Sequence, residues 1–349
     1  MKRFFTLHAF SCGSKFFTLH FSLFTLAALL LTSCHYKDFC YDHSHWAYLR
    51  TQLDWSKSPS ANAQGMTMLY YADGSTEPIR YDFSGMQGGL ARLQPGKYRE
   101  VAYNYDTESI LLRNMGSVNT LEAYTRQSSI EEGTQMARYG MPRSAASAAE
   151  TVILEPDPLW TVASESLDLQ HYGDTTRVTL QPLERVYHVD ITITNVPNLQ
   201  YTGQFGGALS GLAPSVYVAS GELGEGGVTQ AFTCNVIDAT TLQMSFRIFG
   251  HCPHRDTGEI NTHNLTIYAI LADGSKWYFT QDVTSVMHDP LINPDGHIDP
   301  SNPDDPDRRD SYHIQIELDD LPVPKPIVNG SGFQPTVDGW QGVEIQVGM

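Results

Sequence analysis

This 349-residue sequence is short of positive charge, with 22 Lys+Arg against 39 Asp+Glu and a formal net charge of −17. A chain of that balance is repelled by phosphate backbones and by anionic headgroups, which excludes nucleic-acid binding and attachment to membranes through a basic patch. Cysteine is scarce as well. The five thiols include no Cys-x-x-Cys pair, so a zinc ribbon or a thioredoxin-like redox motif is excluded. Catalytic signatures are missing: there is no Gly-x-Ser-x-Gly elbow, His-Glu-x-x-His pair, Walker loop or dinucleotide fingerprint. Gly221–Gly227 is glycine-rich but lacks the order that cradles a phosphate before a helix. The expectation is a protein that is not an enzyme and carries no cofactor; a carboxylate pair assembled only in three dimensions stays open. After residue 31 no run is long and apolar enough to cross a bilayer.

What is present begins with a leader. Lys2, Arg3 and Lys15 precede the mostly apolar Phe21–Leu31, which ends in Leu31-Thr32-Ser33-Cys34. Basic, apolar and small residues in that order make an export signal, and eleven residues are too few for a stable spanning helix. The closing tetrapeptide resembles the bacterial lipoprotein lipobox. The resemblance implies that residues 1–33 are removed and that Cys34 takes lipid on its thiol and its new amine. Acyl chains on one residue then exceed the two signals stable anchoring requires. Removal of 1–33 leaves 349 − 33 = 316 residues, enough for two domains. The leader has three basic and no acidic residues, so the mature chain holds 22 − 3 = 19 basic against 39 acidic groups, a net −20. Of the remaining cysteines, Cys12 leaves with the leader. Cys234 and Cys252 flank one strand and could bridge, leaving Cys40 over, but pairing is not fixed by sequence.

Period-two alternation dominates after residue 46. Leu49, Thr51, Leu53 and Trp55 share one face; Tyr187, Val189, Ile191 and Ile193 another; Leu242, Met244, Phe246 and Ile248 a third. Tyr312, Ile314, Ile316 and Leu318 repeat the scheme, as do Val343, Ile345 and Val347. Strands with one buried and one wet face are what antiparallel sandwiches require. Asp73-Gly74, Pro95-Gly96 and Asp273-Gly274 supply turns. Helical periodicity is weak, confined to Thr120–Gln135 and Ser144–Glu150. The tetrapeptide Ala-Asp-Gly-Ser ends an apolar run at both Ala72–Ser75 and Ala272–Ser275, a faint echo between two halves. The expected organisation is a signal peptide at 1–33, a lipid-anchored linker at 34–46, an N-terminal β-sandwich at 47–175 and a C-terminal one at 176–349. The acidic, proline-rich stretch 288–310 is expected to be a solvated loop within the second.

Two constellations invite a metal reading. Cys40-Tyr41-Asp42-His43-Ser44-His45 offers thiolate, carboxylate and two imidazoles, and on a strand His43 and His45 share a face. The only other ligand run is His251-Cys252-Pro253-His254, and no spacing links the two, so the first is read as a polar collar after the anchor. Within 288–310, Asn293, Asp295 and Asp299, or Asp304, Asp305 and Asp307, carry hard oxygens suited to calcium, off the EF-hand register. The expectation is therefore no metal site. Trp46, Trp55, Trp160, Trp277 and Trp340 are candidate sugar platforms, although core packing is the commoner use of the residue.

Several short segments carry a family resemblance. They are Cys40–His45 with the Leu49–Trp55 strand, Gly65-Met66, Leu93–Tyr98, Ala102–Asp106 and Ala123–Arg126. In the second half Leu209–Ala213, Phe249-Gly250, Asp273-Gly274, Asp282–Thr284 and Val337–Trp340 follow in order. Together they resemble the Bacteroidetes fimbrial anchor-subunit lipoproteins, the FimB-type accessory proteins of type V pili. The resemblance implies two tandem transthyretin-like antiparallel β-sandwiches on a lipid anchor at the outer membrane, no catalytic site, and fimbrial subunits as partners that join by strand addition. No motif-defined binding residues come with it. The rival reading is a cell-envelope lipoprotein that binds glycan or calcium through exposed aromatics and the acidic stretch.

Overall fold

Twenty-two strands in five sheets account for nearly all the regular structure of the computed structural model, which describes residues 45–136, 140–145, 147–251, 262–288, 313–326 and 339–345. The protein is all-β, built as packed sheets. Sheet I orders Thr175–Leu180, Ala47–Leu53 and Gly88–Leu93; the first pair runs parallel and the second antiparallel. Sheet II orders Leu183–Glu184, Trp160–Ala163, Gly96–Asn104, Gly65–Ala72 and Ile79–Ser84, with Leu167–Leu169 also paired to Gly96–Asn104. Sheet III is Ser215–Tyr217, Glu122–Thr125 and Ile110–Arg113.

Sheet II lies between the other two. Met66, Met68 and Tyr70 point with Leu49, Leu53, Ala91 and Leu93 into the core shared with sheet I. Leu69 and Tyr71 point the other way, into a core shared with Ala123, Val216 and Phe249 on the side of sheet III. A strand buried on both faces cannot alternate polar with apolar. That is why Gly65–Ala72 reads Gly-Met-Thr-Met-Leu-Tyr-Tyr-Ala and is buried along its first seven residues.

Sheets IV and V make the second sandwich. Sheet IV orders Trp340–Ile345, Lys276–Asp282, Asn264–Leu271, Thr202–Leu212, Val228–Thr233 and Thr151–Ile153; sheet V orders Asn235–Val236, Leu242–Ile248, Tyr187–Thr194 and His313–Asp319. The inward residues expected from period two, Val189, Ile191, Ile193, Leu242, Met244, Phe246, Ile248, Ile314, Ile316 and Leu318, are all buried in the shared core. Phe232 and Phe246 stack across it at 4.1 Å between ring centroids. The opposite face of sheet IV is covered by the short helix Ile130–Thr134 and by Met136 and Met141.

Three local expectations change. Thr120–Gln135 carries a weak pattern for a short helix, yet its first part, Glu122–Thr125, is a strand held between Ile110–Arg113 and Ser215–Tyr217; ladder pairing on both sides overrides the pattern there. Only Ile130–Thr134 is helical, opened by Ser129, whose side-chain oxygen accepts from the Glu132 amide at 3.2 Å. The described part of Ser144–Glu150 is turn. Trp55 leaves the strand for a single 3-10 turn capped by Asp54. Strand pairing also crosses residue 175 in both directions. Thr175–Leu180 joins sheet I, while Glu122–Thr125 and Thr151–Ile153 pair with strands beyond residue 200. Residues from Trp46 onward form one compact unit. Both Ala-Asp-Gly-Ser tetrapeptides turn a hairpin at the end of a strand interior to its sheet.

Candidate functional site

The residues with the strongest sequence signal lie outside the described part of the chain: Cys34, the run Cys40–Ser44, Cys252, His254 and the acidic oxygens from Asn293 to Asp307. Of the first cluster only His45 is described, exposed ahead of the first strand. Cys234 is a free thiol among the described residues, packed at the edge of the sheet IV–V core, where desolvation pushes its pKa up.

The tryptophans serve packing. The Trp55 indole N–H donates to the Met86 carbonyl at 2.7 Å, and its ring meets Trp160 edge-on at 6.3 Å. Trp277 stacks on Phe279, Trp340 meets Tyr268 edge-on, and the Arg92 guanidinium lies 4.9 Å from the Trp46 ring centroid. Among the described residues, shallow concavities of about 190 and 260 Å³ lie beside Asp168–His171 and between the end of the Ile130–Thr134 helix and Cys234. Both are smaller than the usual enclosed ligand cavity of about 300 Å³ or more.

Among the described residues, one cluster of metal-ligating side chains is one that sequence spacing did not assemble. His251 ends the run after the Leu242–Ile248 strand, His263 stands just before Asn264–Leu271, and His288 follows the short helix Thr284–Met287. Their ring centroids are 4.9 to 5.5 Å apart, and one nitrogen from each lies within 4.8 Å of the others. His251 and His263 are buried and His288 is half-buried.

His263 is fixed on all sides. Its amide donates to Thr284 Oγ1 at 2.8 Å and its carbonyl accepts from the Val283 amide at 2.9 Å. Ring Nδ1 is 3.1 Å from the Ser210 carbonyl oxygen, and Nε2 is 3.1 Å from His288 Nε2. A carbonyl only accepts, so Nδ1 carries the hydrogen and the neutral ring turns a bare Nε2 toward His288. Burial holds the ring neutral, lowering its pKa to about 4, with the Ser210 contact opposing. Gly211 makes this approach feasible: at φ +78, a Cβ there would fall 2.4 Å from the Thr262 carbonyl oxygen and 2.8 Å from His263 Nδ1. Sequence reasoning noticed His251 alone. The only local hint for the others is that each sits at the end of an element.

The family model described as "Domain of unknown function (DUF5119)" matches residues 33–233, more than half of the chain. A Bacteroides ovatus protein described as a candidate fimbrium anchoring subunit, Fim4B, is 24% identical over 328 residues, covering 89% of this chain and 92% of its own. Among solved structures, a candidate adhesin from Bacteroides ovatus is similar at TM-score 0.55 and 21% identity, covering 81% of this chain and 95% of its own. That last likeness is one of fold.

Proposed function

This chain belongs to the DUF5119 family, and from that premise we propose that it is a lipid-anchored protein of the outer membrane that fixes or completes a fimbrium. The observation that carries the reading is the likeness to the fimbrium anchoring relative along nearly the full length of both chains. An anchor needs a tether and a body that makes contacts. The tether is Cys34, acylated after removal of residues 1–33. The body is the pair of sandwiches, for which the resemblance implies a transthyretin-like topology, and its work is adhesion and assembly rather than turnover.

Fimbrial subunits would join by adding a strand to an open sheet edge, where backbone bonds supply affinity and side-chain pockets supply choice. Sheet V supports this. Among the described residues one edge is the two-residue strand Asn235–Val236, and Val236 and Ile237 beside it are 51% and 57% exposed. Val236 on that strand and Ile237 just after it leave apolar side chains uncovered beside an unpaired edge, the kind of exposed surface that marks a contact site.

Cell fractionation tests the anchor. Cys34→Ala is expected to move the protein from the membrane pellet to the soluble fraction, and cells carrying only that variant should shed fimbriae into the medium. Retention of the variant in the membrane refutes the lipid tether. Normal fimbrial retention in cells lacking the protein altogether refutes the anchoring role.

A further inference from the structure

We propose that His251, His263 and His288 bind one divalent first-row transition-metal ion, with zinc as the probe, through three imidazole nitrogens, with a fourth position that no described histidine, cysteine or carboxylate fills. The argument begins with ligand type. Neutral imidazole is a preferred ligand of zinc, nickel and copper, and three of them with one open position is a recognised zinc coordination set.

Geometry comes next. Zinc–nitrogen bonds of about 2.0–2.1 Å on a tetrahedron set ligand nitrogens roughly 3.3 Å apart. The His263 and His288 Nε2 atoms are already 3.1 Å apart. The widest pair of ligand atoms in the trio, within 4.8 Å, closes by at most about 1.5 Å, the reach of a side-chain rotation.

Orientation is the third element. Metal-bound histidines characteristically donate their other ring N–H to a carbonyl or carboxylate, which fixes the tautomer and aims the bare nitrogen at the ion. The Ser210 carbonyl does this for His263 at 3.1 Å, and Gly211 is the residue whose lack of a side chain lets that carbonyl stand there. The base of the site is rigid too: Asp282 Oδ1 accepts from the Thr284 amide at 2.9 Å, and Thr284 in turn holds the His263 amide and accepts, through its carbonyl, from the His288 amide at 3.1 Å.

A competing structural account exists: His288 Nε2–H simply donates to His263 Nε2, and the trio is a hydrogen-bonded packing cluster. The two accounts part on affinity for metal. Three ligands drawn from three separate segments would be cross-linked by the ion, so binding also stabilises the fold, by about 2.7 kcal/mol when free metal is a hundredfold above Kd.

The test uses the mature chain, Cys34→Ala for solubility, stripped with a chelator and titrated with zinc chloride. One zinc per chain is expected. His288→Ala, at the half-buried ligand where truncation is best tolerated, should weaken binding at least about a hundredfold, more than loss of an orienting partner alone. His171→Ala, at an exposed histidine far along the sequence, should leave it unchanged. Without any variant, zinc should shift the imidazole ¹⁵N resonances of three histidines together, and cobalt substitution should give the absorption of a four-coordinate ion. Absence of a one-to-one complex, or His288→Ala binding as tightly as the parent, overturns the site and leaves the hydrogen-bonded cluster.

Discussion

Glu100 is a carboxylate inside the core between sheets I and II, and it makes the stability of this protein depend on pH in a direction opposite to ordinary acid denaturation. It has no exposed surface. Its Oε1 accepts from Thr51 Oγ1 at 2.7 Å across the sandwich, and the Tyr70 hydroxyl stands close enough to favour the ionised carboxylate. Burial, only partly offset by hydrogen bonds from Thr51 and Tyr70, raises its pKa from an ordinary 4.5 to about 7. Between those values the folded chain holds a proton that the unfolded chain has lost, so stability falls as pH rises through the window. The contribution is present in full below pH 4.5 and gone above about 7, and between pH 5 and pH 8 it amounts to about 2.5 kcal/mol. His263, whose pKa burial lowers to about 4, works in the opposite sense. Its contribution is present above about 6.5 and is lost as pH falls toward 4, so the two partly cancel in the parent protein. The informative quantity is therefore a difference. Urea denaturation of the parent and of Glu100→Gln at pH 5 and pH 8, in the presence of a chelator, should show the variant gaining about 2.5 kcal/mol on the parent between the two conditions. Glutamine leaves an amide N–H₂ where Oε2 stood, which costs about 1–3 kcal/mol at both pH values and does not alter the difference. A gap that stays constant from pH 5 to pH 8 refutes the assignment of a proton to Glu100.

Other predictions follow from packing. A Cβ on Gly133 would meet Ala231 Cβ at 2.6 Å and the Ala231 carbonyl oxygen at 2.7 Å, so Gly133→Ala should lift the Ile130–Thr134 helix from sheet IV and cost about 1–3 kcal/mol in urea denaturation. Phe246→Ala removes one of two rings stacked at 4.1 Å in the sheet IV–V core and should cost about 3–5 kcal/mol; a change under about 1 kcal/mol would mean the sandwich does not pack there as described.

How much of this was legible in the sequence depends on how many faces each strand buries. Leu242–Ile248 has one wet face, and its alternation gave both its limits and its inward residues. Tyr187–Thr194 behaves the same way. Gly65–Ala72 and Asn264–Leu271 are buried on nearly every residue, so their sequences could be read as strands but not assigned a core. The three-layer arrangement around sheet II was invisible for that reason. Short strands were hidden too: Glu122–Thr125 and Ser215–Tyr217 owe their form to each other across more than ninety residues, and no local pattern carries such a pairing. The histidine trio is an extreme case. Its members stand at ends of elements rather than on a shared face, so neither period two nor a ligand spacing could have joined them.

The crossing of residue 175 bears on the proposed anchoring role. A tether at Cys34 would deliver its pull to the first strand, Ala47–Leu53. That strand is central in sheet I, paired with Gly88–Leu93 on one side and with Thr175–Leu180 on the other, six residue pairs along each. Force along such a strand must shear both ladders at once rather than peel one bond after another. The parallel partner, Thr175–Leu180, leads through Leu183–Glu184 directly into Tyr187–Thr194, the strand that pairs with both neighbours in sheet V. Glu122–Thr125 and Ser215–Tyr217 tie the halves again at sheet III. Two sandwiches joined only by a linker would hand tension from one to the next through a single peptide. Here it is shared across sheets, as the proposed anchoring role would require.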